Sequence, residues 1–112
     1  MAQGDVWWAS LPQPAGSGAG YRRPVVVVQG NSLNQSRLGT VVCVPLTGNL
    51  KWAAAPGNVL LGREDTGLES DSVANASKLI ALDKRFLTEA VGRLSRGNLE
   101  RIFAALDVVL ER

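Results

Sequence analysis

The chain contains no histidine. That removes both the usual acid–base group of neutral pH and the commonest metal ligand. Cysteine is nearly as scarce: Cys43 stands alone, so no disulfide forms within the chain, and a reducing, cytoplasmic setting is expected. Cys43 has no basic neighbour in sequence to hold a thiolate and reads as a buried strand residue. No apolar run approaches the roughly 20 residues that a membrane span requires. The N-terminus shows no charged head leading into an apolar stretch, so no signal peptide is expected. The most informative absence is of negative charge. Between Asp5 and Glu64 there is no carboxylate, while Arg22, Arg23, Arg37, Lys51 and Arg63 all fall in that stretch.

What is present describes a folded chain. A hydrophobic content of 46% against 20% charged residues is ordinary for a globular protein and argues against disorder. At 112 residues the expectation is one domain spanning 1–112, with a core small enough that an oligomer interface would help. The net charge is only +2, but residues 6–63 carry five basic and no acidic groups, whereas residues 64–112 carry seven basic and nine acidic ones. Such asymmetry predicts one positive face, suited to a polyanion.

Strands are expected at 6–11, 25–29, 40–46, 58–61 and, with weaker patterning, 72–82. The stretch 12–20 (PQPAGSGAG) is a loop long enough to suggest a functional lid. Pro24 suits the first position of its strand. The stretch 31–36 is a polar connection, and Thr47, Gly48 and Asn49 make a turn. Asp83 reads as the N-cap of a helix over 84–94. Ser95 caps a last helix whose Leu99, Ile102, Phe103, Leu106, Val109 and Leu110 follow helical spacing. The result is an α+β fold around a small, strongly curved sheet, with helices at the end of the chain.

Five blocks recur in a known order. They are Gly4-Asp5-Val6-Trp7-Trp8, the Arg22-Arg23-Pro24 step, the valine run ending in Gln29, Thr40 through Asn49, and Asp71-Ser72-Val73-Ala74-Asn75. Taken together they resemble the MazF/PemK family of toxin endoribonucleases, over the whole chain. The resemblance implies a sequence-preferring, metal-independent enzyme that cleaves single-stranded RNA and needs no cofactor. It also implies a small antiparallel sheet or SH3-like barrel with a C-terminal helix, a homodimer with an RNA groove, and a cognate antitoxin whose acidic disordered tail occupies that groove.

RNA is cut without metal when its own 2′-hydroxyl attacks the adjacent phosphorus. The protein then aligns the attack, stabilises charge on the phosphoryl oxygens and assists proton movement. A guanidinium suits the second task, because its planar donors match two phosphate oxygens and it stays charged. Arg23, at a strand start, and Thr47, at the next strand's end, fit the roles of catalytic arginine and threonine. Read by themselves they are equally a solvated cation and a turn residue; the resemblance selects the catalytic pair. If the two strands pair antiparallel, both lie at one end of the sheet.

Arg22 reads as a plain phosphate contact. Asn31 and Asn34 either read base edges or merely hold a polar connection. Lys51 and Trp52 share a loop where the indole either stacks on a base or packs inward. Trp7 and Trp8 alternate on a strand, so one faces each side. The acidic group Glu64, Asp65, Glu69 and Asp71 lacks calcium-loop spacing and reads as a solvated loop. Two departures from the family stand out. The loop before the Arg-Pro step holds nothing titratable, and the positions of the later-strand arginine and aspartate of PemK-like relatives are here Asn75 and Ser77. The general base is left unassigned, and a non-catalytic module binding nucleic acid or protein on the same fold is the alternative. A metal-dependent hydrolase finds no ligand cluster.

Overall fold

A computed structural model describes residues 1–11 and 21–112. The loop expected over 12–20 lies outside the described residues. In chain order the elements are β1 (Asp5–Leu11), β2 (Tyr21–Val27), α1 (Asn31–Asn34), β3 (Thr40–Thr47), β4 (Asn58–Leu61) and α2 (Arg63–Thr66). They continue with β5 (Ser72–Asn75), β6 (Ile80–Asp83), β7 (Leu87–Arg93) and α3 (Arg96–Leu110). Two 3₁₀ turns, Ala76–Lys78 and Lys84–Phe86, separate β5 from β6 and β6 from β7. The strands form an open antiparallel sheet in the order β4-β5-β3-β2-β1-β7, with β6 also paired to β3. None of the described helices is long and apolar enough to cross a membrane.

Strand β3 organises the sheet. On one side Val25, Val26 and Val27 of β2 face Pro45, Val44 and Cys43. On the other side its start pairs with β6, from Thr40↔Asp83 to Cys43↔Ile80, and its end pairs with β5 at Leu46↔Ala74 and Thr47↔Val73. The single strand expected over 72–82 is therefore two. The register slips by three residues between the halves, and the 3₁₀ turn Ala76–Lys78 takes up the difference.

Alternation along β2 buries both faces of the sheet. Val26 and Val28 join Leu46, Leu61 and Ile102 beneath α3, while Val25 and Val27 join Val41, Cys43 and Leu82 on the other side. Helix α3 forms because Ser95 Oγ accepts from the Asn98 N–H at 3.2 Å and because Leu99, Ile102 and Ala105 face the sheet. Cys43 is wholly buried, and burial pushes its thiol up to about 12, so no thiolate nucleophile is available. Pro24 lies inside β2 rather than at its start, but pairing to β3 begins only at Val25. The missing N–H therefore sits where β2 has a neighbour on one side only.

The helix expected over 84–94 is instead strand β7, paired with β1. The cap at Asp83 does form, with Oδ1 accepting from the Arg85 N–H at 3.1 Å, but a single 3₁₀ turn follows it. The pairing explains the misleading pattern. Val6 faces Gly92, Trp7 faces Ala90, Trp8 faces Glu89 and Ala9 faces Leu87, so Val91 and Thr88 bulge out of register. Two bulges break the period of two and leave apolar residues at three- and four-residue spacing, which mimics a helix. Thr88 Oγ1 secures one bulge by donating to the Trp8 carbonyl at 3.2 Å.

Helix α2 packs against β7, the edge strand next to β1. Its approach depends on glycine: a methyl at Gly92 would meet the Thr66 carbonyl oxygen at 2.6 Å. Gly92→Ala should therefore destabilise the protein by about 1–3 kcal/mol. Gly97→Ala, in α3, where an added methyl meets nothing within 4 Å, should be neutral or slightly stabilising. Thermal melts of the two variants check both; an unshifted Gly92→Ala melt would show that α2 does not rest against β7.

Candidate RNA-binding cleft

Arg23 and Thr47 each lie two residues beyond the last β2–β3 pair, Val25↔Pro45, and Thr47 is itself paired with Val73 of β5. Arg23, Thr47 and Val73 thus lie together at the end of the sheet remote from α1. They line a cleft of about 590 Å³. Asn75 follows two residues along β5 on the same face, and the 3₁₀ turn adds Ser77 and Lys78. The β3–β4 connection supplies Asn49 and Trp52, and β4 supplies Asn58. Arg23, Thr47, Trp52, Asn75 and Ser77, all named from sequence, come together here.

The walls are held from behind. The Ala76 N–H donates to the Gly57 carbonyl at 3.0 Å, which ties the 3₁₀ turn to the foot of β4. Asn58 Nδ2 donates to the Trp52 carbonyl at 2.9 Å, fixing the loop that carries the indole. The turn after β3 closes when Thr47 Oγ1 accepts from the Asn49 N–H at 3.2 Å and Asn49 Oδ1 accepts from the Lys51 N–H at 3.1 Å. With its oxygen engaged that way, the Thr47 hydroxyl keeps its proton for a ligand.

The cleft suits an anion. No carboxylate lines it, and neither Arg23 nor Lys78 has an ion-pair partner among the described residues. Arg23 is half-buried, with its guanidinium carbon 5.6 Å from the centre of the Tyr21 ring. That places a cation where solvent screens it less than on an open surface. Trp52 is 61% exposed, so the indole is displayed rather than packed, and Lys51 Nζ stands 5.1 Å from its centre. An open aromatic face beside cations fits a stacked, unpaired base.

Other residues go elsewhere. Arg22 points to the opposite face of β2, where it lies over Trp8 at 4.7 Å and pairs with Glu89 at 2.9 Å. It borders a second cavity of about 670 Å³ that includes Pro24, Glu69 and Val91. Trp7 packs on the far core from Trp8, as alternation requires. Asn31 and Asn34 sit at the other end of β2 and β3 and serve the connection there. Asn34 Nδ2 donates to the Gln29 carbonyl at 2.8 Å, and Asn31 Oδ1 accepts from the Gln3 N–H at 2.8 Å. Arg37 lies in that same connection, and Arg63 opens α2 against β7. The five cations of residues 6–63 therefore do not make one face; the expectation fails because sequence proximity says nothing of side-chain direction. Sequence reasoning also missed Lys78, whose only signal was its place one residue after Ser77 in a half that reads as acidic.

The fold and the blocks agree with known proteins. The family described as the PemK-like, MazF-like toxin of type II toxin-antitoxin systems matches residues 2–110. The endoribonuclease MazF2 of Mycobacterium bovis is 38% identical over 111 residues, covering 99% of this chain and 97% of that one. A mycobacterial endoribonuclease solved in complex with its cognate antitoxin superimposes with a TM-score of 0.78 at 25% identity, covering 99% of this chain and 95% of that one. The MazF of a MazE–MazF complex from Deinococcus radiodurans gives 0.81 at 24% identity, covering 99% and 96%, a likeness of fold. With the family matched along nearly its whole length, this chain belongs to the PemK/MazF toxins.

Proposed function

We propose that the chain is the toxin of a type II toxin–antitoxin system and that the cleft between β2, β3 and β5 is where it cuts RNA. One observation carries this reading: a half-buried arginine and an available hydroxyl line the same cleft, which among the described residues holds no carboxylate, beside an exposed tryptophan. The reaction is endonucleolytic cleavage of single-stranded RNA with a sequence preference. Arg23 holds two phosphoryl oxygens and Thr47 donates to one of them as charge builds. The 2′-hydroxyl attacks in line, and a 2′,3′-cyclic phosphate and a 5′-hydroxyl result. Asn58, Asn75 and Ser77 offer donors and acceptors to base edges or sugar, and Trp52 stacks on a base. The toxin acts in the cytoplasm as a homodimer, each copy one domain over 1–112, and blocks growth by destroying transcripts.

A non-catalytic binding module is the rival. It draws on the lack of any histidine or carboxylate among the residues lining the cleft. Incubation of the purified chain with total RNA in EDTA decides between the two. The reading expects new ends carrying a 2′,3′-cyclic phosphate and a 5′-hydroxyl; 5′-phosphate ends, or no cutting once EDTA is added, contradict it.

The two neighbouring arginines separate the cleft from the opposite face. Arg23→Ala should slow single-turnover cleavage on the order of 10²–10³-fold, the loss typical of a preorganised oxyanion donor. Arg22→Ala, on the far side and already paired with Glu89, should change it little. The reverse ranking would move the phosphate site to the other side of the sheet.

The partner follows from the same chemistry. An antitoxin with a disordered acidic tail competes for cations that otherwise hold phosphate, folding as it binds. Saturating tail peptide should abolish RNA binding by the purified toxin in a fluorescence anisotropy assay. Unchanged RNA affinity under those conditions would exclude inhibition by occupancy of the cleft.

A further inference from the structure

The cleft holds two cations of different chemistry. Arg23 enters from β2, and Lys78 enters from the 3₁₀ turn beyond β5. A guanidinium keeps its proton under working conditions, so it can hold a phosphate but cannot protonate a leaving group. An ammonium can do both. Among the described residues lining the cleft, Lys78 is the only ionisable side chain besides Arg23; the others are hydroxyls, amides, aliphatic groups and Trp52. Residues 12–20 contain no ionisable side chain in their sequence. Tyr21 is near, but its ring lies against Arg23 and does not line the cleft.

We propose that Lys78 is the general acid of cleavage, delivering its proton to the departing 5′-oxygen. The proposal rests on the cleft being the site of the reaction. The turn that bears Lys78 is well fixed: Ala76 is buried, its N–H is tied to Gly57, the Leu79 N–H donates to the Ala76 carbonyl at 3.2 Å, and α3 packs against the turn. The side chain itself is exposed and makes no hydrogen bond or ion pair among the described residues, so it is free to serve a ligand. In-line displacement needs the attacking and leaving oxygens on opposite sides of phosphorus. With Arg23 and Thr47 holding the equatorial oxygens, Lys78, which lines the same cleft from a third element, is the ionisable group left to serve the leaving oxygen. The O2′–P bond forms and the 2′-hydroxyl proton passes to water. The P–O5′ bond breaks with its electron pair on O5′, which takes a proton from Lys78 Nζ. The neutral amine is then reprotonated by solvent.

The test compares two oligonucleotides carrying the mapped cleavage step. One has the natural 5′-bridging oxygen and the other has sulfur there, a leaving group that needs no proton. Lys78→Ala should cut the oxygen substrate about 10²-fold more slowly in single-turnover assays, yet cut the sulfur substrate within about threefold of wild type. Lys78→Arg should restore RNA affinity without restoring the oxygen rate. An equal loss on both substrates would mean that Lys78 supplies charge alone, and wild-type rates in Lys78→Arg would mean the same. Sulfur-specific rescue in Tyr21→Phe instead of Lys78→Ala would give the role to Tyr21. Arg23→Ala is slow on both substrates if the cleft is the site. Rapid cutting by Arg23→Ala overturns the cleft and Lys78 with it, whereas failure of the Lys78 variants alone leaves the cleft standing.

Discussion

The pairing of β3 with a divided partner is the constraint on which the rest depends. One strand of eight residues serves β2 on one side, and on the other it must serve both β5 and β6, whose registers differ by three residues. The mismatch is absorbed in the turn Ala76–Lys78, and a turn absorbing residues between paired strands must push side chains away from the sheet. Ser77 and Lys78 leave the sheet at that point and enter the space above Thr47. The same pairing fixes Thr47 against Val73 and, through β2, brings Arg23 alongside. Register therefore builds the cleft before any ligand arrives. This is the preorganisation that a phosphate-stabilising site requires, because donors that need not move cost no reorganisation during the reaction.

Charge is sorted by the strand period. Arg22 and Arg23 are adjacent in sequence, and a period of two sends them to opposite faces. Glu89 of β7 neutralises the first, while the second has no carboxylate partner among the described residues. An exposed pair such as Arg22–Glu89 adds little stability, but it takes one of two neighbouring cations out of the field. Asp5 does the same for Arg93 at the foot of β1, with 2.8 Å between them. The net charge of +2 hides this arrangement, which leaves an unneutralised cation where β2 begins and β3 ends.

Much of the cleft was legible because it is written in short range. An Arg-Pro step at a strand start and a Leu-Thr-Gly turn at the next strand's end need only antiparallel pairing to meet. Helix α3 was equally plain, with a serine cap and apolar spacing pointing the same way. What stayed hidden was long-range. Strand β7 looked helical because two bulges against β1 spoiled its alternation. The division of 72–82 into two strands depends on pairing with β3, which local propensity does not register. Lys78 was overlooked for that reason, since only the turn between the two strands brings it to the cleft. The single basic face was misread because five cations free of carboxylates in sequence need not point the same way.

The central claim is spatial, so a structure with bound RNA tests it most directly. On the proposed mechanism, an oligonucleotide carrying a 2′-O-methyl group at the cleaved step has its attacking oxygen blocked and can be crystallised uncut with the chain. The account predicts the phosphate of that step within hydrogen-bond distance of the Arg23 guanidinium and the Thr47 hydroxyl, with a neighbouring base stacked on Trp52. A phosphate seated on the other face beside Arg22 and Trp8, or at α1 beside Asn31 and Asn34, would contradict it.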